Sequence, residues 1–119
     1  YKNVITIKFF SPKHEMEICG TISRARNPLL VEIDGYEMEA ELEGYVLMLQ
    51  NEDRPGVIGP LTMAMGEAGV NIASMRVARK TKGETAIMIL NVDNKVEDET
   101  IQKLAQIKGL LGTPKLLHF

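Results

Sequence analysis

The succession of hydrophobic periods between residues 45 and 119 constrains this chain more than any single motif in it. Tyr45-Val46-Leu47-Met48-Leu49 is a continuous apolar run, the pattern of a strand covered on both faces. Pro55-Gly56 then opens a stretch in which Val57, Leu61, Met65 and Ala68 recur at helical spacing, and Gly69 suits the C-terminus of that helix. In "NIASMRVARKT" the period becomes two, with Met75 and Val77 set against Arg76 and Lys80, before Lys82-Gly83 turns the chain. Ala86 to Val92 is again nearly continuous, interrupted by Asn91. "VEDETIQKLAQIKG" reads as a second helix: Glu97, Asp98 and Glu99 occupy its first turn, where the helix dipole favours acids. Ile101, Leu104 and Ala105 face inward, Lys108-Gly109 closes the helix, and "PKLLHF" supplies a last short strand. The order is β-α-β-β-α-β, a ferredoxin-like module of the α+β class. Central positions in its sheet are predicted for 45–50 and 86–92, and an edge position for the alternating 72–80. Both helices of such a module cover one face, so apolar residues on both faces of the central strands call for a second covering surface from a partner or neighbouring domain.

Residues 1–44 carry only strand patterns. Val4, Ile5, Ile7, Phe9 and Phe10 precede Ser11-Pro12, and "HEMEICGTIS" alternates Met16 and Ile18 with Glu15 and Glu17. Leu29 to Ile33 meets Asp34-Gly35, after which Tyr36, Met38, Ala40 and Leu42 alternate; Asp-Gly between two such runs predicts a hairpin. Three or four strands without a helix bury little alone. This segment is therefore expected to complete a neighbouring module, and the chain, opening on Tyr1 in strand-like sequence, to be part of something longer. Two domains are predicted, 1–44 and 45–119.

Composition narrows the function. A net charge of −2 offers no basic footprint for nucleic acid. No apolar run approaches the roughly 18 residues of a membrane span, and Cys19 is the only cysteine, so a reducing, cytoplasmic setting is expected. There is no glycine-rich dinucleotide fingerprint and no phosphate-binding loop. His14 and His118 stand apart from metal-ligand spacings and read as surface or strand-end residues. Cys19 and Met48, Met65, Met75 and Met88 read as packing. No catalytic residue, metal site or cofactor is expected in this chain.

What remains is "LQNEDRPGVIGP". A helix N-terminus presents unpaired backbone N–H groups and a positive dipole end, which suits a carboxylate. Asn51 and Asp53 stand before that end, Arg54, Pro55, Gly56, Val57 and Ile58 form it, and Asn71 with Ile72 begins the next strand. In an amino-acid site, the backbone of 55–58 would take the carboxylate, and Asp53 with Asn71 the ammonium or a hydroxyl. The plainer alternative is that Asp53 only caps the helix and Asn71 only satisfies a strand entrance. Asn51 and Asn71 are expected to converge on the same end. Pro60 fits awkwardly: either the first turn is irregular, or regular helix begins near Gly59-Pro60 with Pro60 at its first position.

The segments "NEDRPGVIG", "GEAGVNIASMRV" and "GETAIMILNVD" resemble the signature of ACT domains, amino-acid-sensing regulatory modules. Preceded by "GTIS" and "PLLVEIDGYEMEAELEGY", the whole chain is similar to the regulatory end of long-type D-3-phosphoglycerate dehydrogenases, in which a β-rich intervening domain precedes the ACT domain. The resemblance implies L-serine as feedback ligand, held between two ACT domains whose edge strands pair in a homo-oligomer, with Asn51, Asp53 and Asn71 as contacts. It also implies NAD as cofactor of the parent enzyme. Asn51 stands where this family often has His, and Asp53 where some members have Asn. Lys13, Arg24 and Arg26 are candidates, by charge, for a second anion site in the intervening domain. Two alternatives fit the same residues: the β subunit of an iron–sulfur L-serine dehydratase, and an ACT pair that dimerises and binds nothing.

Overall fold

The computed structural model describes residues 4–10, 15–22, 27–79 and 83–119. The chain divides into two compact units, Tyr1–Leu42 and Glu43–Phe119. In the first, β1 (Val4–Phe10), β2 (Glu15–Ile22), β3 (Pro28–Ile33) and β4 (Tyr36–Glu41) form an antiparallel sheet in chain order. The hairpin predicted at Asp34-Gly35 is present. Both residues have positive φ, 47° and 81°, as the tight turns that match strand twist require. The Asp34 carboxylate accepts the Glu17 N–H at 2.7 Å, which ties the turn to β2. Cys19 is buried with its sulfur 3.4 Å from the Thr6 hydroxyl, in agreement with a packing role.

The second unit is the ferredoxin-like module: β5 (Tyr45–Glu52), α1 (Ile58–Glu67), β6 (Ile72–Arg79), β7 (Thr85–Val92), α2 (Asp98–Ala105) and β8 (Leu110–His118). Its antiparallel sheet runs β6-β7-β5-β8. The continuous runs are indeed central, with unbroken burial from Val46 to Leu49 and from Ala86 to Leu90, and the alternating β6 is an edge. Leu47 and Leu49 of β5, Met88, Leu90 and Val92 of β7, Leu61 and Met65 of α1 and Leu104 of α2 make one core. The register puts Val46, Met48, Ile87 and Ile89 on the opposite face, so the central strands are apolar on both sides, as their sequence pattern indicates.

Several expectations change in detail. Regular helix in α1 begins at Ile58, with Val57 at the cap position and no side-chain capping bond. Pro60 is therefore the third helical residue, where its missing N–H would have had no intrahelical partner. Ala68 is exposed and Val70 takes the inward position expected of it. Val77 lies on the core-facing side of β6 yet is 46% exposed, because among the described residues β6 is an outer strand of the sheet. Glu97 is the cap residue of α2, and Asp98 and Glu99 fill its first turn. The last strand starts at Leu110, earlier than "PKLLHF" indicates; a register shift between Met48 and Gln50 accommodates the Gly112-Thr113-Pro114 stretch that reads as a break. His118 stacks on its cross-strand partner Tyr45, ring centroids 4.1 Å apart, which accounts for it as a strand-end residue. His14 lies outside the described residues. No described helix is long and apolar enough to cross a membrane.

Candidate functional site

Asn51 has the same parity on β5 as Leu47 and Leu49, so its side chain turns to the helix-covered face, and it is only 3% exposed. Its Nδ2 donates to the Glu52 carbonyl at 2.9 Å. Its Oδ1 is buried without a hydrogen-bond partner, a condition that typically costs about 1–3 kcal/mol.

The residues that follow are fixed from two sides. The Glu52 N–H donates to the Gly109 carbonyl at 2.7 Å, tying the end of β5 to the turn between α2 and β8. The Asp53 N–H donates to the Glu84 carbonyl at 2.9 Å, and its Oδ2 accepts from Arg79 Nη1 at 3.2 Å and from the Gly83 N–H at 3.1 Å. Asp53 is thus bound to the β6–β7 turn and does not cap α1, because the chain runs four more residues before helix begins. Arg54 pairs through Nε with Glu52, and its Nη1 donates to the Pro55 carbonyl at 3.3 Å. Pro55 and Gly56 make the exposed turn, and Val57 is fully buried behind it. A methyl group on Gly109 would lie 2.6 Å from Val57 Cγ2 and 2.9 Å from Arg54 Nη2, so the loop rests directly on that glycine.

Asn71 does not converge on this end. β5 and β6 run the same way with β7 between them: Tyr45 and Ile72 both pair with Val92, whereas Asn51 and Arg79 both pair with Ala86. Asn71 and Ile72 therefore stand about 20 Å from Asn51, six register steps along the sheet. There Asn71 Nδ2 donates to Asp93 Oδ2 at 2.8 Å, and the Asp93 N–H returns to the Asn71 carbonyl at 3.1 Å. Within one chain the candidate residues that lie together are Asn51, Asp53 and the 54–58 loop, without Asn71.

Two contributors were missed from sequence. Arg79 shares the parity of Met75 and Val77, so a charge at the end of a core-facing row is the signal it gave. Gly109 read only as a helix stop, and nothing in the sequence announces its contact with Val57. Lys13, Arg24 and Arg26 lie outside the described residues. Among the described residues no cluster of His, Cys, Asp and Glu is arranged to hold a metal ion.

Comparison with protein families gives a match to the ACT domain over residues 45–109, which is more than half of the chain. The chain belongs to the ACT domain family. ACT domains bind small effectors such as amino acids and often pair. The chain is 39% identical over 110 residues to D-3-phosphoglycerate dehydrogenase of Methanocaldococcus jannaschii, covering 92% of the chain and 21% of that protein. It is 31% identical over 112 residues to the Bacillus subtilis D-3-phosphoglycerate dehydrogenase, covering 94% and 21%. A probable L-serine dehydratase β chain of Bacillus subtilis is 22% identical over 116 residues, covering 98% of the chain and 53% of that protein. The chain thus spans about a fifth of the length of the dehydrogenases it matches. In this ACT domain the candidate loop is the β5–α1 connection, and among the described residues the outer strands of its sheet are β6 and β8.

Proposed function

We propose that this chain is the regulatory end of a cytoplasmic D-3-phosphoglycerate dehydrogenase, and that two copies pair to bind L-serine as feedback inhibitor of its own biosynthesis. The observation that carries this reading is Asn51: a buried amide with an unpaired acceptor, beside a fixed carboxylate, at the end of a central strand. A ligand ammonium or hydroxyl would satisfy that acceptor. The names of the dehydrogenase relatives support the parent enzyme. NAD chemistry would then belong to a part of the parent outside these 119 residues, and Tyr1–Leu42 to its β-rich intervening domain.

Edge pairing restores the role of Asn71. When two β6 strands join antiparallel about a two-fold axis near Met75 and Arg76, the start of one lies beside the end of the other. The partner's Asn71 then stands at the Arg79 end of β6, one strand spacing from Arg79 and its ion-pair partner Asp53 and about three from Asn51, and symmetry gives two such sites per pair. Serine bridging two chains binds one arrangement of the pair better than others, and that difference shifts the enzyme between states; a coupling of about 1–3 kcal/mol is typical. Titration calorimetry of the full-length protein with L-serine tests this directly. Saturable heat with one ligand per chain is expected; no heat at millimolar serine from a folded dimer removes serine as the ligand. The dehydratase alternative is decided by the activity of the parent enzyme, which would then convert serine to pyruvate and ammonia through loss of water and not oxidise phosphoglycerate.

A further inference from the structure

The geometry points to Arg79 as the group that recognises the carboxylate of the bound amino acid, in exchange for the Asp53 carboxylate it holds here; this rests on the amino-acid-sensor reading above. The cross-strand row Arg79, Ala86, Asn51 places all three side chains on one face of the sheet, with Arg79 and Asn51 about 10 Å apart across two strand spacings. In the sheet the residue between them is Ala86, whose side chain is a single methyl group.

The Arg79–Asp53 pair is built to be exchanged. The Arg79 side chain is 53% exposed and its contact with Asp53 Oδ2 is a single one at 3.2 Å, the kind of solvent-facing pair that contributes little stability. Asp53 does not depend on it for position, because the Gly83 N–H also donates to its carboxylate and its own N–H is held by the Glu84 carbonyl. An α-amino acid carries both charges of the pair on one small molecule. Its ammonium replaces the guanidinium at Asp53, and its carboxylate replaces Asp53 at Arg79. Every charge keeps an opposite partner, no net charge is buried, and the planar guanidinium meets a carboxylate in the two-pronged geometry it favours. An amine without a carboxylate can take Asp53 but leaves Arg79 without a partner. Arg79 thereby selects amino acids over the corresponding amines.

The test compares L-serine with ethanolamine, its analogue lacking the carboxylate, on full-length protein by titration calorimetry. Arg79→Gln is expected to weaken L-serine about tenfold or more, the loss typical of a hydrogen-bonded charge, and to leave ethanolamine no weaker, since it then has no guanidinium to displace from Asp53. Arg79→Lys is expected to recover part of the serine affinity. Unchanged serine binding in Arg79→Gln overturns the assignment, as does an equal loss for both ligands, which would mean that Arg79 merely steadies Asp53. Where ethanolamine binds the wild type too weakly to measure, L-serinamide, which keeps the ammonium and hydroxyl but not the carboxylate charge, takes its place with the same two outcomes. Wild-type protein that ignores L-serine defeats the sensor reading itself, whereas wild-type binding that survives Arg79→Gln defeats only the role of Arg79.

Discussion

Gly109→Ala isolates the contact on which the β5–α1 loop rests. The added methyl would sit 2.6 Å from Val57 Cγ2, and Val57 is fully buried, so it has nowhere to retreat. The second clash, 2.9 Å to Arg54 Nη2, is softer, because that side chain ends at the surface and can swing aside. Gly109 also has φ +97°, a backbone conformation that costs an alanine about 1–2 kcal/mol. Overpacking against Val57 adds about 1–3 kcal/mol. The sum is a destabilisation of about 2–5 kcal/mol. Gly112→Ala is the internal control: its φ is +70°, but nothing lies within 4 Å of the added methyl, so it carries only the backbone part. Urea unfolding of the 119-residue chain, followed by the helical circular dichroism signal, reads the module directly, since both described helices belong to Glu43–Phe119. Gly109→Ala is expected to be the worse of the two by about 1–3 kcal/mol, and to lose serine binding through displacement of Glu52, whose N–H bonds the Gly109 carbonyl. Equal destabilisation by the two substitutions refutes the reasoning, because it would mean that the loop gives way and Gly109 does not set its position.

Asn51→Leu removes an amide whose acceptor is buried and unpaired. It relieves about 1–3 kcal/mol and forfeits one hydrogen bond worth about 0.5–1.5, so equilibrium unfolding should show a protein unchanged or up to about 2 kcal/mol more stable that no longer responds to serine. A clear loss of stability would show that Asn51 serves the fold. Asn71→Ala tests the pairing geometry: alone it should abolish serine binding, but a mixed dimer of one Asn51→Leu chain and one Asn71→Ala chain should regain one site of normal affinity, because one interface end then keeps both amides. Calorimetry of the purified mixed dimer showing no binding would mean that the two residues do not act across chains.

The fold was legible because its elements differ in period. β5 and β7 are continuous, β6 alternates, and the two helices repeat at helical spacing, so order and sheet position follow from burial alone. The start of α1 was less legible. Pro55-Gly56 has the chemistry of a helix entrance, but the loop must first reach Gly109 and the β6–β7 turn, and tertiary bonds to those turns delay the helix to Ile58. Asp53 was misjudged as a possible cap for the same reason. A carboxylate four residues before a helix has many uses, and only the fold reveals that its partners are Arg79 and Gly83, about 30 residues away.

The distance between Asn51 and Asn71 carries the most consequence. Sequence places the two amides at either end of α1, and a helix-and-return connection invites the inference that they meet. The sheet forbids it, because β5 and β6 run the same way on either side of β7, so their corresponding ends are separated by the length of a strand. In the proposed pairing, each chain contributes Asp53 with Arg79 at one end of β6 and Asn71 at the opposite end. A two-fold pairing along β6 unites the halves twice over, and no rearrangement within one chain does so once. If the proposed pairing holds, the ligand bridges two copies, and ligand binding and assembly are thermodynamically linked.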